Sequence, residues 1–227
     1  AHLTGRECSQ QAAMVRMIGL TGPIACGKSS VTRCLEELGC PVVDADKTAH
    51  RVIGEKGGHV HRALVQAFGT GILGDDGSVD RKRMSPIVLS DPSKLKLLNS
   101  ITHGPVMRAM FKEVARLLLQ GHRRLALDIP LLVKFPICRK LCMSTVLVVV
   151  TSPETQIARL RGRDNLSEED ALLKIRAQVP PERLLEFAGH VISNDGSEEE
   201  LRRSVTNFLE SQPQGWNVYE TLLLAVG

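Results

Sequence analysis

The chain has 227 residues, of which 43% are hydrophobic and only 3% aromatic, and its 29 basic and 25 acidic side chains give a formal charge of +4. That composition supports one globular core of Leu, Val, Ile and Ala with appended subdomains. It argues against a nucleic-acid binder that stacks bases on aromatic platforms, and the mild, scattered positive charge suits a polyanionic small molecule better than a DNA backbone.

Residues 1–16 are expected to be an N-terminal extension; Arg6 and Arg16, offset by Glu7, make a sparse organelle-targeting pattern. Met17-Ile18-Gly19-Leu20 then reads as a short buried strand. Directly after it comes Gly22-Pro23-Ile24-Ala25-Cys26-Gly27-Lys28-Ser29, a complete G-x-x-x-x-G-K-[ST] string. Ser29 to Leu38 reads as the following helix, closed by Gly39. Strand, glycine loop and helix in this order make a phosphate-binding loop.

Each residue type in the loop has a physical reason. Gly22 and Gly27 let the backbone fold back, and the helix N-terminus behind them favours an anion. Pro23 has no N–H, so the cradle is expected from the amides of residues 24–29, taking in Ile24, Ala25, Cys26, Gly27, Lys28 and Ser29, with Ser30 opening the helix. Lys28 is expected on the β- and γ-phosphates and Ser29 on Mg²⁺.

Pro41 to Asp46 reads as a second strand that ends in Asp44 and Asp46. Residues 47–121 are helical in pattern, interrupted at Gly57-Gly58, Gly69-Thr70-Gly71 and Asp75-Asp76-Gly77, and form a long helical insertion. Strand character resumes at Leu125 to Pro130 and is strongest at Ser144 to Val150. Both are near-continuous apolar runs, as in a parallel sheet covered on both faces. Residues 153–180 carry Arg159, Arg161, Arg163, Lys174 and Arg176 on two helices broken around Gly162 to Ser167, the second starting at Ser167-Glu168-Glu169-Asp170. Val191 to Gly196 reads as a last strand and turn, and Ser197 to Ser211 as a closing amphipathic helix before a tail at 213–227. No apolar run reaches the ~20 residues that span a bilayer.

The six cysteines, Cys8, Cys26, Cys34, Cys40, Cys138 and Cys142, contain no C-x-x-C pair. They read as reduced thiols of an intracellular, cytoplasmic protein, with association with mitochondria as an open alternative. Cys138 and Cys142 have no nearby histidine, which argues against zinc.

Phosphoryl transfer needs positioning and charge compensation. Asp44 or Asp46 can accept the proton of an attacking hydroxyl, and Asp128, at the end of an apolar strand, can organise Mg²⁺ and its water. Arg159 and Arg163, four apart on one helix face, read as a lid that neutralises charge on the transferred group. His103, in the helical insertion, is a candidate for the acceptor, against a purely structural histidine. A regulatory GTPase is disfavoured by the absence of an N-K-x-D string.

From Met17 to about Leu209 the chain resembles the dephospho-CoA kinases, most of all the eukaryotic single-domain members. The resemblance is carried by Ile18-Gly19-Leu20-Thr21-Gly22, Gly27-Lys28-Ser29, Val43-Asp44-Ala45-Asp46, Ala67-Phe68-Gly69, Asp80-Arg81, Ile101-Thr102-His103 and Asp128-Ile129-Pro130-Leu131-Leu132. It continues through Gln156, Arg159-Leu160, Arg163-Asp164, Ala177-Gln178 and Ile192-Ser193-Asn194. It implies an α/β P-loop NTPase fold, with a nucleotide core (about 17–46, 122–152 and 188–212), a helical acceptor-binding insertion (about 47–121) and an arginine-bearing lid (about 153–187).

The implied activity is ATP-dependent phosphorylation of the ribose 3′-hydroxyl of dephospho-CoA with Mg²⁺. Asp46, Lys28, Arg159 and Arg163 would be catalytic, and the loop residues from Gly22 to Ser30 together with Asn194 would bind nucleotide. Asp44, Arg81, His103, Asp128 and Leu131 would bind substrate, and Ser29 and Asp128 the metal. Oligomeric state is left unassigned. The chain departs from the family pattern at Pro23, Ala25 and Cys26 in the loop, and at His50, Met107, Lys134 and Gly189. Most of the charge changes fall on the acceptor side. Two alternatives follow: a kinase of the same fold for another small alcohol, or an ATP-binding protein with weak catalysis.

Overall fold

The computed structural model describes residues 15–129 and 145–212. Leu131 and Lys134, Cys8, Cys138 and Cys142, most of the N-terminal extension and the tail lie outside them. The chain divides into two compact units, one formed by residues 1–42 and 120–227 and the other by Val43–Leu119.

The first unit is built on β1 (Arg16–Thr21), α1 (Lys28–Glu37), β3 (Arg124–Asp128), β4 (Thr145–Val150), α6 (Pro153–Asp164), α7 (Glu168–Arg176), α8 (Pro181–Leu185), β5 (His190–Ser193) and α9 (Glu198–Ser211). With β2 (Val42–Asp44), inside which the division falls, the strands order as β2-β3-β1-β4-β5. The β1–β3, β1–β4 and β4–β5 pairs are parallel. The central strands are buried along nearly their whole length, as a sheet with helices on both faces requires. Leu20 lies opposite both Asp128 and Leu147, so the end of β1 and the end of β3 meet at one edge of the sheet.

Helices cover the sheet through periodic apolar faces. α1 buries Val31, Cys34 and Leu35, and α9 buries Leu201, Val205, Phe208 and Leu209 at helical spacing. Together with Ile18, Leu20, Ala126, Leu147, Val149 and Ile192 they form one core cluster. Exposed Arg33–Glu198 and Arg202–Glu37 ion pairs join the two helices. α9 begins with a capping box in which the Ser197 hydroxyl accepts from the Glu200 amide and the Glu200 carboxylate accepts from the Ser197 amide.

The second unit is helical, with α2 (Ala45–Gly54), α3 (His59–Phe68), a 3₁₀ turn (Thr70–Ile72), α4 (Arg81–Leu89) and the 28-residue α5 (Pro92–Leu119). Its own core is Ile53, Val60, Leu64, Ile72, Val79, Met84 and Val88. The interruptions at residues 57–58, 69–71 and 75–77 fall between helices, the last in a turn closed by an isolated Leu73–Val79 bridge. Two sequence expectations shift. The strand expected to run to Asp46 ends at Asp44, whose carboxylate accepts from the Lys47 amide at 2.9 Å and starts α2. The break expected from Gly162 falls at Asn165, which adopts the left-handed conformation (φ 51°) after α6 has passed through Gly162.

Phe208 is fully buried and its ring lies 4.9 Å from that of His190. Phe208→Ala should therefore destabilise the first unit by about 3–5 kcal/mol, measured by chemical unfolding. A cost below ~1 kcal/mol would show that α9 does not seal the sheet.

Candidate active site

Thr21 ends β1 fully buried, and the glycine loop begins at the next residue. Two residues take positive φ to make the fold-back: Ala25 at 57° and Gly27 at 80°. Gly27 must be glycine for a second reason, since a Cβ there would stand 1.9 Å from Asn194 Nδ2. Gly22 is packed as closely, with a Cβ at 2.5 Å from the Val149 carbonyl oxygen.

Side chains from distant parts of the chain hold this loop. Asn194, buried just after β5, donates from Nδ2 to the Cys26 carbonyl at 3.0 Å. Arg159 on α6 donates to the Asn194 carbonyl at 2.9 Å and to the Cys26 carbonyl at 3.4 Å. Gln156, also on α6 and buried, donates to the Ile24 carbonyl at 2.7 Å. Gln178, beyond α7, accepts from the Ile24 amide at 2.7 Å. The Cys26 thiol is buried at the centre, and burial pushes its pKa up to about 11, so it stays protonated and uncharged beneath the loop.

The expected cradle of amides 24–29 is narrower in the structure. The Ile24 N–H is taken by Gln178, and the Cys26 N–H donates to the Pro23 carbonyl at 3.3 Å. Gly27 precedes α1 with no side-chain cap; the Ser30 amide bonds the Gly27 carbonyl at 3.0 Å, while the earlier N–H groups of the turn have no intrahelical acceptor. The Lys28 N–H points to the Cys26 sulfur, and among the described residues no acceptor is found for the amides of Ala25, Gly27 and Ser29. These donors, at a helix N-terminus with partial positive charge, fit a phosphate group.

Lys28 opens α1 and pairs with Asp128, a carboxylate only 5% exposed at the end of β3. The pair sets a cation and an anion beside the amide array, with the Ser29 hydroxyl one residue on. An oxygen-rich set of hydroxyl and carboxylate beside a phosphate cradle fits Mg²⁺, which keeps waters and phosphate oxygens in its shell.

The other candidates are dispersed. Arg163 is exposed and forks onto its neighbour Asp164 at 2.8 and 3.2 Å, while Lys174 reaches the same carboxylate at 3.0 Å. These contacts, the Arg163 bond first, hold the Asp164 pKa down at about 2. The expectation that Arg159 and Arg163 point the same way is therefore not met, because each guanidinium follows a different acceptor. In the helical unit Asp46 is exposed in the first turn of α2, His103 is exposed on α5, and Arg81 opens α4. His50 and Arg51 line a cavity of about 650 Å³ with Val52, Gly54, Glu55 and Ala109. The loop contacts of Gln156 and Gln178, and the loop-bracing bond of Asn194, carried no sequence signal beyond their place in the family resemblance.

The sequence profile of the dephospho-CoA kinases matches residues 16–200, which takes in the loop, Asp128, Arg159 and Asn194. The chain belongs to the dephospho-CoA kinase family. It is 42% identical to the dephospho-CoA kinase domain-containing protein of Danio rerio over 83% of this chain and 82% of the relative. It is 39% identical to the dephospho-CoA kinase of Halalkalibacterium halodurans over 86% of this chain and 95% of that one. Among solved structures, TT1252 from Thermus thermophilus superposes with a TM-score of 0.75 at 32% identity, covering 88% of this chain and 99% of that one. The dephospho-CoA kinase of Campylobacter jejuni does so at 0.59 and 26% identity, covering 89% and 100%. The parallel sheet, its strand order and the loop between β1 and α1 make this the P-loop NTPase fold.

The different partners of the two arginines predict different behaviour in this family member. Arg159→Ala removes donors from two loop-supporting carbonyls and should weaken binding of a non-hydrolysable ATP analogue about tenfold. Arg163→Ala should leave that affinity within twofold. Calorimetric titration of both variants checks this, and equal losses would contradict the assignment of Arg159 to the loop.

Proposed function

We propose that this chain transfers the γ-phosphoryl group of ATP to the ribose 3′-hydroxyl of dephospho-CoA, giving coenzyme A and ADP. The observation that carries the reading is the uncapped N-terminus of α1, where the amides of the Gly27 turn converge beside Lys28 and Asp128. The family supplies the acceptor. Cys26, Cys34 and Cys40 are buried free thiols, which supports a reducing location inside the cell.

Residue roles follow from charge and position. The amides of Ala25, Gly27 and Ser29 bind phosphate oxygens, and Lys28 shifts its ammonium from Asp128 toward the β- and γ-phosphates as they enter. Ser29 and Asp128 are the side chains that would hold Mg²⁺, which would offset charge on the phosphates. Asp46 is assigned as the base that accepts the hydroxyl proton. Arg159 keeps the loop in shape, and Arg163 is assigned to charge on the transferred group once it leaves Asp164. Asp44 supports α2 in front of Asp46. The helical unit carries the acceptor contacts, for which Arg81 and His103 are the assigned side chains; Leu131 is assigned with them and lies outside the described residues. The changed residues at His50 and Met107 fall in this same unit, so acceptor preference is the property they bear on.

The reading predicts ADP release from ATP that depends on added dephospho-CoA, followed in a coupled assay. ATP binding without such release, or release driven only by adenosine or a nucleoside monophosphate, would replace dephospho-CoA kinase by one of the two alternatives. Lys28→Ala should lower turnover ~10²-fold or more, since it removes the loop's one charged contact to the phosphates. Asp46→Asn should lower turnover ~10²-fold with ATP affinity kept, because the amide cannot accept a proton. Unchanged kinetics in either variant would remove that residue from its role.

A further inference from the structure

Ile24 is gripped on both sides by glutamines from the helical hairpin that follows β4. Gln156 Nε2 donates to its carbonyl and Gln178 Oε1 accepts from its amide, each at 2.7 Å. The polarity of both bonds is fixed by the backbone, since an N–H can only donate and a C=O can only accept. Gln156 lies in the first turn of α6 and Gln178 two residues past the end of α7, and the hairpin is cross-tied by Arg161–Glu168 and by Lys174–Asp164. A hairpin tied in this way delivers both glutamines to Ile24 together.

We propose that Gln156 and Gln178 are positioning residues for ATP, acting through Ile24 to preset the phosphate loop. The inference rests on the nucleotide-binding reading of that loop. Pro23 offers no N–H, so without the clamp the stretch between Gly22 and Ala25 has no side-chain anchor among the described residues. Fixing Ile24 sets the entry to Ala25, whose positive φ turns the following amides toward one another. The clamp also engages the Ile24 N–H, leaving the amides of Ala25, Gly27 and Ser29 as the phosphate donors without a protein acceptor among the described residues. A loop already in its bound shape loses less entropy when the anion arrives.

The opposite polarity of the two bonds provides the test. Glutamate keeps the acceptor that position 178 requires but loses the donor that position 156 requires, while both changes add the same charge near the same loop. Affinity for a non-hydrolysable ATP analogue is measured by calorimetry without acceptor for Gln156→Glu, Gln156→Met, Gln178→Glu and Gln178→Met, with thermal unfolding alongside. Gln178→Glu should stay within about threefold of the unchanged protein and Gln178→Met should bind about tenfold more weakly. Gln156→Glu should be weaker still than Gln156→Met, since its carboxylate faces a carbonyl. Gln178 is exposed, so its pair decides the matter even if the buried Gln156 variants do not fold. Glutamate at or below methionine in affinity at position 178 overturns the clamp. Failure of the unchanged protein to bind the analogue instead brings down the phosphate-loop reading.

Discussion

The left-handed turn at Gly27 brings the start of α1 against Asn194, and every other feature of the site is arranged around that contact. A Cβ at position 27 would overlap the Asn194 amide, so the turn and its support fit only as a pair. Asn194 in turn holds the Cys26 carbonyl, and Arg159 ties the carbonyls of both residues. With the Ile24 and Cys26 carbonyls held by side chains from later in the chain, the amides of Ala25, Gly27 and Ser29 are left without a protein acceptor among the described residues. Such an array is electrostatically prepared before the anion arrives, which is where most of the catalytic advantage of fixed dipoles lies.

Lys28 and Asp128 give this arrangement a resting state. A buried carboxylate and an ammonium beside an amide cluster would each be costly alone, and pairing lowers that cost; in the proposed reading phosphate then replaces Asp128 as the ammonium's partner. Phosphoryl transfer asks for this kind of charge compensation more than for covalent chemistry. The parallel sheet supplies the geometry, because the register of β1 against β3 fixes the end of one strand beside the end of the other. Ligands of open α/β sheets bind at this edge for the same reason.

The loop, the parallel sheet and the helical stretch were readable in the sequence because each rests on local pattern: glycine spacing, apolar runs and turn residues. Ser167 and Ser197 as helix starts were readable for the same reason, since a cap is a contact across three residues. The supports of the loop were not. Gln156, Gln178 and Asn194 reach it across more than 130 positions of chain, and nothing in their local sequence separates such an amide from an ordinary polar surface residue. Spacing also misled in one place. Arg159 and Arg163 share a helix face, yet backbone carbonyls hold one and a neighbouring aspartate the other, so common direction did not follow from i, i+4 placement. Asp46 shows the opposite limit, since Asp44 caps a helix that begins two residues earlier than the apolar pattern implied.

The central claim is that the loop's amides are divided into those already bonded within the protein and those reserved for phosphate. Amide hydrogen exchange, resolved residue by residue by NMR with and without ATP and Mg²⁺, tests it most directly. Ile24 and Cys26 should be protected before nucleotide is added and change little on binding, whereas Ala25, Gly27 and Ser29 should gain protection only with ATP. Protection of Ile24 and Cys26 that appears only with ATP, or an absence of change at Gly27 and Ser29, would contradict the account.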